Sequence, residues 1–113
     1  MRTTKNMKFD IQNVMQQAKK MQEEVENIKR ELANKTVTAE SGGGFVTATM
    51  TGANRLISIK IAPELILQND VDMLEDLVVA AVNKAFDKAG ELAQSDMGRI
   101  KNMIPSIPGL NLG

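Results

Sequence analysis

The side chains best equipped for chemistry in this chain are its lysines and arginines, because the usual catalytic set is missing. Its 113 residues include no histidine, cysteine, tryptophan or tyrosine. That removes the commonest general base, the commonest metal ligand and the aromatics most used as binding anchors, and it excludes disulfides and thiolate metal sites. Ser41, Ser58, Ser95 and Ser106 have no imidazole to activate them as nucleophiles. Glu75 and Asp76, or Asp70 and Asp72, are the carboxylates to weigh as metal ligands, but no oxygen-rich loop accompanies them, and acidic residues beside a helix start have a plainer role as partners of its dipole. Gly42-Gly43-Gly44 lacks the spacing of a phosphate-binding loop and precedes a strand, so it reads as a turn or bulge. The expected protein is not an enzyme and uses no metal or cofactor.

The cations are unevenly distributed although 14 Lys and Arg balance 14 Asp and Glu. Residues 1–35 hold eight basic against five acidic side chains, residues 36–70 two against three, and residues 71–113 four against six. Only the first third is positive. The three phenylalanines, Phe9, Phe45 and Phe86, are scattered, which disfavours a platform for stacking single-stranded bases. No apolar run approaches the roughly 20 residues that span a bilayer, and no apolar segment follows the first six residues as in a signal peptide. A cytoplasmic protein is expected.

The elements that position these charges follow from periodicity. Between Thr36 and Ile61, apolar residues recur at every second position (Val37 and Ala39; Val46, Ala48 and Met50; Ile57, Ile59 and Ile61) and alternate with threonine, serine and lysine. This predicts a three-stranded antiparallel meander with one apolar and one threonine-rich face. Gly42-Gly43-Gly44 and Gly52-Ala53-Asn54 tolerate positive φ and supply the reversals; Pro63 closes the block. Upstream, Ile11, Val14, Ala18, Met21, Val25, Ile28 and Leu32 step by three and four. They predict a helix from an Asp10 N-cap to Ala33, about 36 Å long, with a narrow seam suited to another helix. Roughly half of it must project past a sheet only about 20 Å wide.

Downstream, Glu64 to Gln68 reads as a helical turn, and Asn69-Asp70 caps a long last helix. From Val71 to Phe86 that helix is apolar on more than one face, more than a single small sheet can cover; the surplus predicts a second subunit. Its pattern thins beyond Phe86, where Gly90 and Gly98 each cost about 1 kcal/mol relative to alanine. The eight methionines are expected to fill gaps in the core. Residues 1–6 read as an extension ahead of an alternative start at Met7, residues 7–103 as one α+β domain, and residues 104–113 as a flexible proline and glycine tail.

The order of elements and five local strings resemble the YbaB/EbfC family of nucleoid-associated DNA-binding proteins. The strings are Met15 to Gln22 (MQQAKKMQ), Gly42-Gly43-Gly44 with the Val/Thr alternation after it, Ile57 to Leu65 (ISIKIAPEL), Leu74 to Ala85 (LEDLVVAAVNKA) and the tail from Pro105 to Gly113. The resemblance runs from about Met7 to the end; Ala62 departs from the acidic residue common before the proline. It implies a bacterial, tweezers-like homodimer whose projecting helical arms contact double-stranded DNA, with roles in nucleoid organisation and gene regulation. On that arrangement Met50, Ile59, Leu74, Val78, Ala81 and Val82 are expected in the dimer core.

The family offers no compact contact motif to carry over, so the DNA-binding residues are argued from placement. Lys8, Lys19 and Lys20 fall on the free half of the first helix, and Lys88, Arg99 and Lys101 on the free half of the last. Antiparallel packing is expected to bring the two sets together at one tip, where they neutralise phosphates. The plain alternative is a solvated charged face, the default on an amphipathic helix. At the level of function the alternative is a scaffold whose arms hold a partner protein, favoured by zero net charge and the acidic last third.

Overall fold

A computed structural model describes residues 2–103, with side chains for residues 11–102. The elements are α1 (Arg2–Asn34), β1 (Thr36–Ser41), β2 (Val46–Thr51), β3 (Leu56–Ile61), α2 (Pro63–Leu67) and α3 (Val71–Met103). The expected α+β order holds, and the fold is 81 Å long but only 25 by 16 Å across. The tail expected over 104–113 lies outside the described residues. Helix α1 does not start at Asp10 as its cap but continues back to Arg2. Nothing between the two positions stops it, since that stretch contains neither glycine nor proline.

The strands form an antiparallel sheet in the order β1-β2-β3. Val37 faces Met50, Ala39 faces Ala48 and Ser41 faces Val46, so the alternating apolar residues share a face. On the other side Val46 pairs Ile61 and Ala48 pairs Ile59, but a register shift near Met50 pairs it with Leu56. Ile57 is left as the extra residue of a bulge, which the strict alternation did not anticipate. Gly42, Gly43 and Gly44 all take positive φ (61°, 69° and 101°) in the tight turn joining β1 and β2. At the second reversal the positive φ belongs to Asn54 (65°).

Gly52 serves a different purpose from the one its turn position implies. A Cβ there would lie 2.8 Å from Leu32 Cδ2, 3.0 Å from the Leu32 carbonyl oxygen and 3.2 Å from Leu92 Cδ2. The missing side chain lets α1, α3 and the β2–β3 turn meet, and the Gly52 N–H donates to the Lys35 carbonyl at 3.0 Å. We expect Gly52→Ala to destabilise the fold by about 1–3 kcal/mol, the usual cost of overfilling a packed site, because one obstruction is backbone that cannot rotate away. Urea unfolding of the two proteins measures it; an unchanged midpoint contradicts the close packing.

Helix α3 lies across β1 and β2. Ala81, Ala85 and Ala89, one turn apart, are buried against Ala39, Val46, Ala48 and Met50, with Leu65 of α2 closing one end. Small residues on both surfaces bring helix and sheet close together. The Met73 N–H donates to Asp70 Oδ1 at 3.1 Å, the predicted cap.

The two long helices pair antiparallel, as expected, but over less of their length. Lys35 Nζ meets Asp96 Oδ2 at 2.8 Å, and Arg99 Nη2 meets Glu31 Oε2 at 2.9 Å and Glu24 Oε1 at 3.2 Å. That register puts Met103 level with about residue 25 of α1. The reason is how each helix uses its residues. Helix α3 spends Met73 to Ala89 on the sheet core and has only its last four turns for α1, whereas α1 reaches the sheet only near Leu32. The N-terminal part of α1 therefore overshoots its partner by roughly 30 Å.

Candidate nucleic-acid interface

Charge changes along α1 at the point where the helix leaves its partner. Residues 1–22 contain Arg2, Lys5, Lys8, Lys19 and Lys20 against the single acid Asp10, a surplus of four positive charges. Residues 23–35 carry Glu23, Glu24, Glu26 and Glu31 against Lys29, Arg30 and Lys35, a deficit of one; two of the glutamates bind Arg99 of α3, and Lys35 binds its Asp96. The overshooting arm is thus the part of α1 with a positive surplus. Every residue from Ile11 to Lys20 is exposed. Neither Lys19 nor Lys20 forms an ion pair with another described residue, and Gln12, Gln16, Gln17 and Gln22 add hydrogen-bonding groups on the same arm.

The expected meeting of two cationic sets at one tip is not what the structure brings together. Lys19 and Lys20 are on the arm; Lys8 is on the same helix, with its side chain outside the described residues. Lys88 lies over the sheet, donating from Nζ to the Thr38 carbonyl at 2.8 Å, and Lys84 donates to the Glu40 carbonyl at 3.3 Å. Both carbonyls belong to the edge strand β1, so these lysines occupy backbone acceptors that another strand would otherwise find open. Arg99 is held between two glutamates of α1, and Lys101 is exposed at the end of α3. The exposed ion pairs contribute about 0–1 kcal/mol each, so they set the register while the buried Ile28 and Leu32 hold the seam.

A second surface is apolar. The bonds from Lys84 and Lys88 fix which flank of α3 overlies β1. At 100° per residue Val82, Phe86 and Val79 lie about 160–220° around the helix from Lys84, on the flank toward β3. Val79 is 57% and Phe86 51% exposed, and Leu56, Ile57, Ile59 and Ile61 of β3 are exposed beside them. These six side chains present on the order of 500 Å² of apolar surface, within the range of the largest patch on a typical monomer, which is often functional.

The residues expected in a dimer core divide accordingly. Met50 (2% exposed) and Ala81 (fully buried) are enclosed within one chain by α3 packing on the sheet, so they cannot touch a second copy. Leu74, Val78 and Val82 are half-buried against the same core, and Ile59 is exposed. The exposed apolar face also includes Val79, Phe86, Ile57 and Ile61, none of them in the expected dimer-core set. Val79 and Phe86 are seven residues apart, a spacing visible in the sequence but obscured by apolar residues on more than one face of the helix.

Three comparisons bear on this architecture. A model of the YbaB/EbfC DNA-binding family matches residues 7–104. A nucleoid-associated protein of Thermoanaerobacter pseudethanolicus is 46% identical over 102 residues, covering 90% of this chain and 91% of that one. One from Caldanaerobacter subterraneus is 47% identical with the same coverage, and one from Acetivibrio thermocellus 44% identical over 89% of each chain. Among solved structures, an uncharacterized Helicobacter pylori protein matches with a TM-score of 0.66 over 74% of this chain and 88% of its own, at 19% identity. At that identity the likeness speaks for the fold alone.

Proposed function

Because the chain belongs to the YbaB/EbfC DNA-binding family, we propose that it is a nucleoid-associated protein that grips duplex DNA as a homodimer through the basic arms of α1. The carrying observation is the segregation of charge along that helix: a surplus of four positive charges in residues 1–22, on the part of α1 that α3 does not reach. Lys19 and Lys20, with Lys8 further out, are the phosphate contacts in this reading, and Lys101 borders the root of the arm. Arg99 acts as the clamp that aims α1, and Lys88 as a guard of the sheet edge.

Two copies meet in this reading through the face made by Val79, Phe86 and β3, which doubles every arm contact by symmetry. Readout is dominated by the DNA backbone. The arm has lysine and glutamine but no arginine between residues 11 and 22, and arginine paired with guanine is the commonest specific base contact. Weak sequence preference suits organisation of the nucleoid in the cytoplasm, with any effect on gene expression following from occupancy. Among the described residues no helix is long and apolar enough to cross a membrane.

A salt titration tests the reading. With about six phosphates neutralised per dimer, the logarithm of affinity for a 30-base-pair duplex is expected to fall with log salt at a slope near −5. Fluorescence anisotropy from 50 to 300 mM potassium chloride measures it. No binding at 50 mM rejects DNA as the ligand and favours the protein scaffold, to which the zero net charge points.

A further inference from the structure

The apolar seam of α1 continues past the end of α3. Ile28 and Leu32 are buried in the paired part, but Ile11 (55%), Val14 (64%) and Met15 (66%) are exposed on the arm, and Ala18 is exposed between them. Most helical stability in proteins comes from packing of an apolar face rather than from propensity. A segment laid along this stripe would therefore stabilise the arm.

We propose that the occupant is the chain's own last ten residues, 104–113, returning along α1 over Ile11, Val14, Ala18 and Met21. Three observations choose it. The first is position: α3 ends at Met103, level with about residue 25, so the following residues emerge where the bare seam begins. The second is reach. Ten residues of extended chain cover about 31 Å, against about 21 Å of helix from Val25 to Ile11.

The third observation is composition. Residues 104–113 contain no charged side chain, and Ile104, Ile107 and Leu110 recur every third position with Leu112 beyond. Every third residue of a proline-favoured extended chain falls on one side, which suits a narrow stripe. The rival occupant, the same arm of another copy, would set Lys19 and Lys20 of one helix near those of the other and incur like-charge repulsion. A tethered uncharged segment avoids this, and it acts at millimolar effective concentration. Lys20 lies about 200° around the helix from Ala18, so the strap leaves it open; the inference does not depend on DNA being the ligand.

The absence of native cysteine permits a clean test in the full-length protein. A Val14→Cys, Ile107→Cys variant is refolded from an equal mixture of isotopically light and heavy chains and mildly oxidised at micromolar concentration. The expected product is a disulfide within one chain, forming at least about tenfold faster than in a Lys20→Cys, Ile107→Cys control. Disulfide-linked chain pairs with about half of them mixed light–heavy, the share that random pairing of equal chains gives, would make the occupant another copy, and a rate equal to the control would leave the seam bare; either overturns the proposal. Hydrogen exchange needs no cysteine. Ending the chain after Met103 is expected to speed exchange of the amides of residues 11–21 about tenfold, and unchanged protection also overturns it.

Discussion

Reversing two charges on the arm, in a Lys19→Glu, Lys20→Glu variant, is expected to weaken duplex binding on the order of a thousandfold at 0.1 M salt. A dimer loses four phosphate contacts by this change, and each is worth nearly a factor of ten at that salt concentration through counterion release. Four new carboxylates then face the phosphates. The fold should not notice. Both lysines are exposed and neither is engaged by a described acid, so the melting temperature and the solution mass are expected to stay as they are. The comparison that isolates the arm is Lys84→Glu with Lys88→Glu, which makes the same charge change over the edge of β1. If that pair abolishes binding and the arm pair does not, DNA lies along the sheet and the arm assignment is wrong.

The second large effect is on assembly. Val79→Glu with Phe86→Glu places two carboxylates per chain on the exposed flank of α3, four across a twofold interface, each costing several kcal/mol if desolvated without a partner. A single copy tolerates the change, since both residues are already more than half exposed. Light scattering at micromolar concentration should move from a dimer to the 12.4 kDa of one chain. DNA affinity should drop about a hundredfold because the second arm no longer binds at high effective concentration. A variant that remains dimeric would place the interface elsewhere, and a wild type that is already monomeric would remove the premise.

The fold was largely legible because its signals are local. Alternation at Val46, Ala48 and Met50, the seam from Ile11 to Leu32 and the cap at Asp70 each state an element within a few residues. What escaped depends on how far one element travels over another. Lys88 reads as an arm residue only if α3 leaves the sheet soon after Phe86, yet Ala89 is still buried in the core, and small residues give no warning of how closely they pack. Likewise Met50 and Ala81 carry the same apolar label as Ile59 and Val79. Which of them faces inward depends on α3 settling over β1 and β2 rather than β3. Arg99 was legible as a cation but not as a spent one, because its two glutamates lie 68 and 75 positions away in the chain.

The close meeting at Gly52 makes α1 a lever. Its fulcrum is the contact of Leu32 with that glycine, and the far end at Arg2 is about 45 Å away, several times the 8–10 Å that separates packed helices. A half-ångström adjustment at the pivot is thereby amplified to a few ångströms at the extremity. In the proposed dimer the gap between two such prongs can thus be retuned by one methyl group at Gly52, with every lysine left in place.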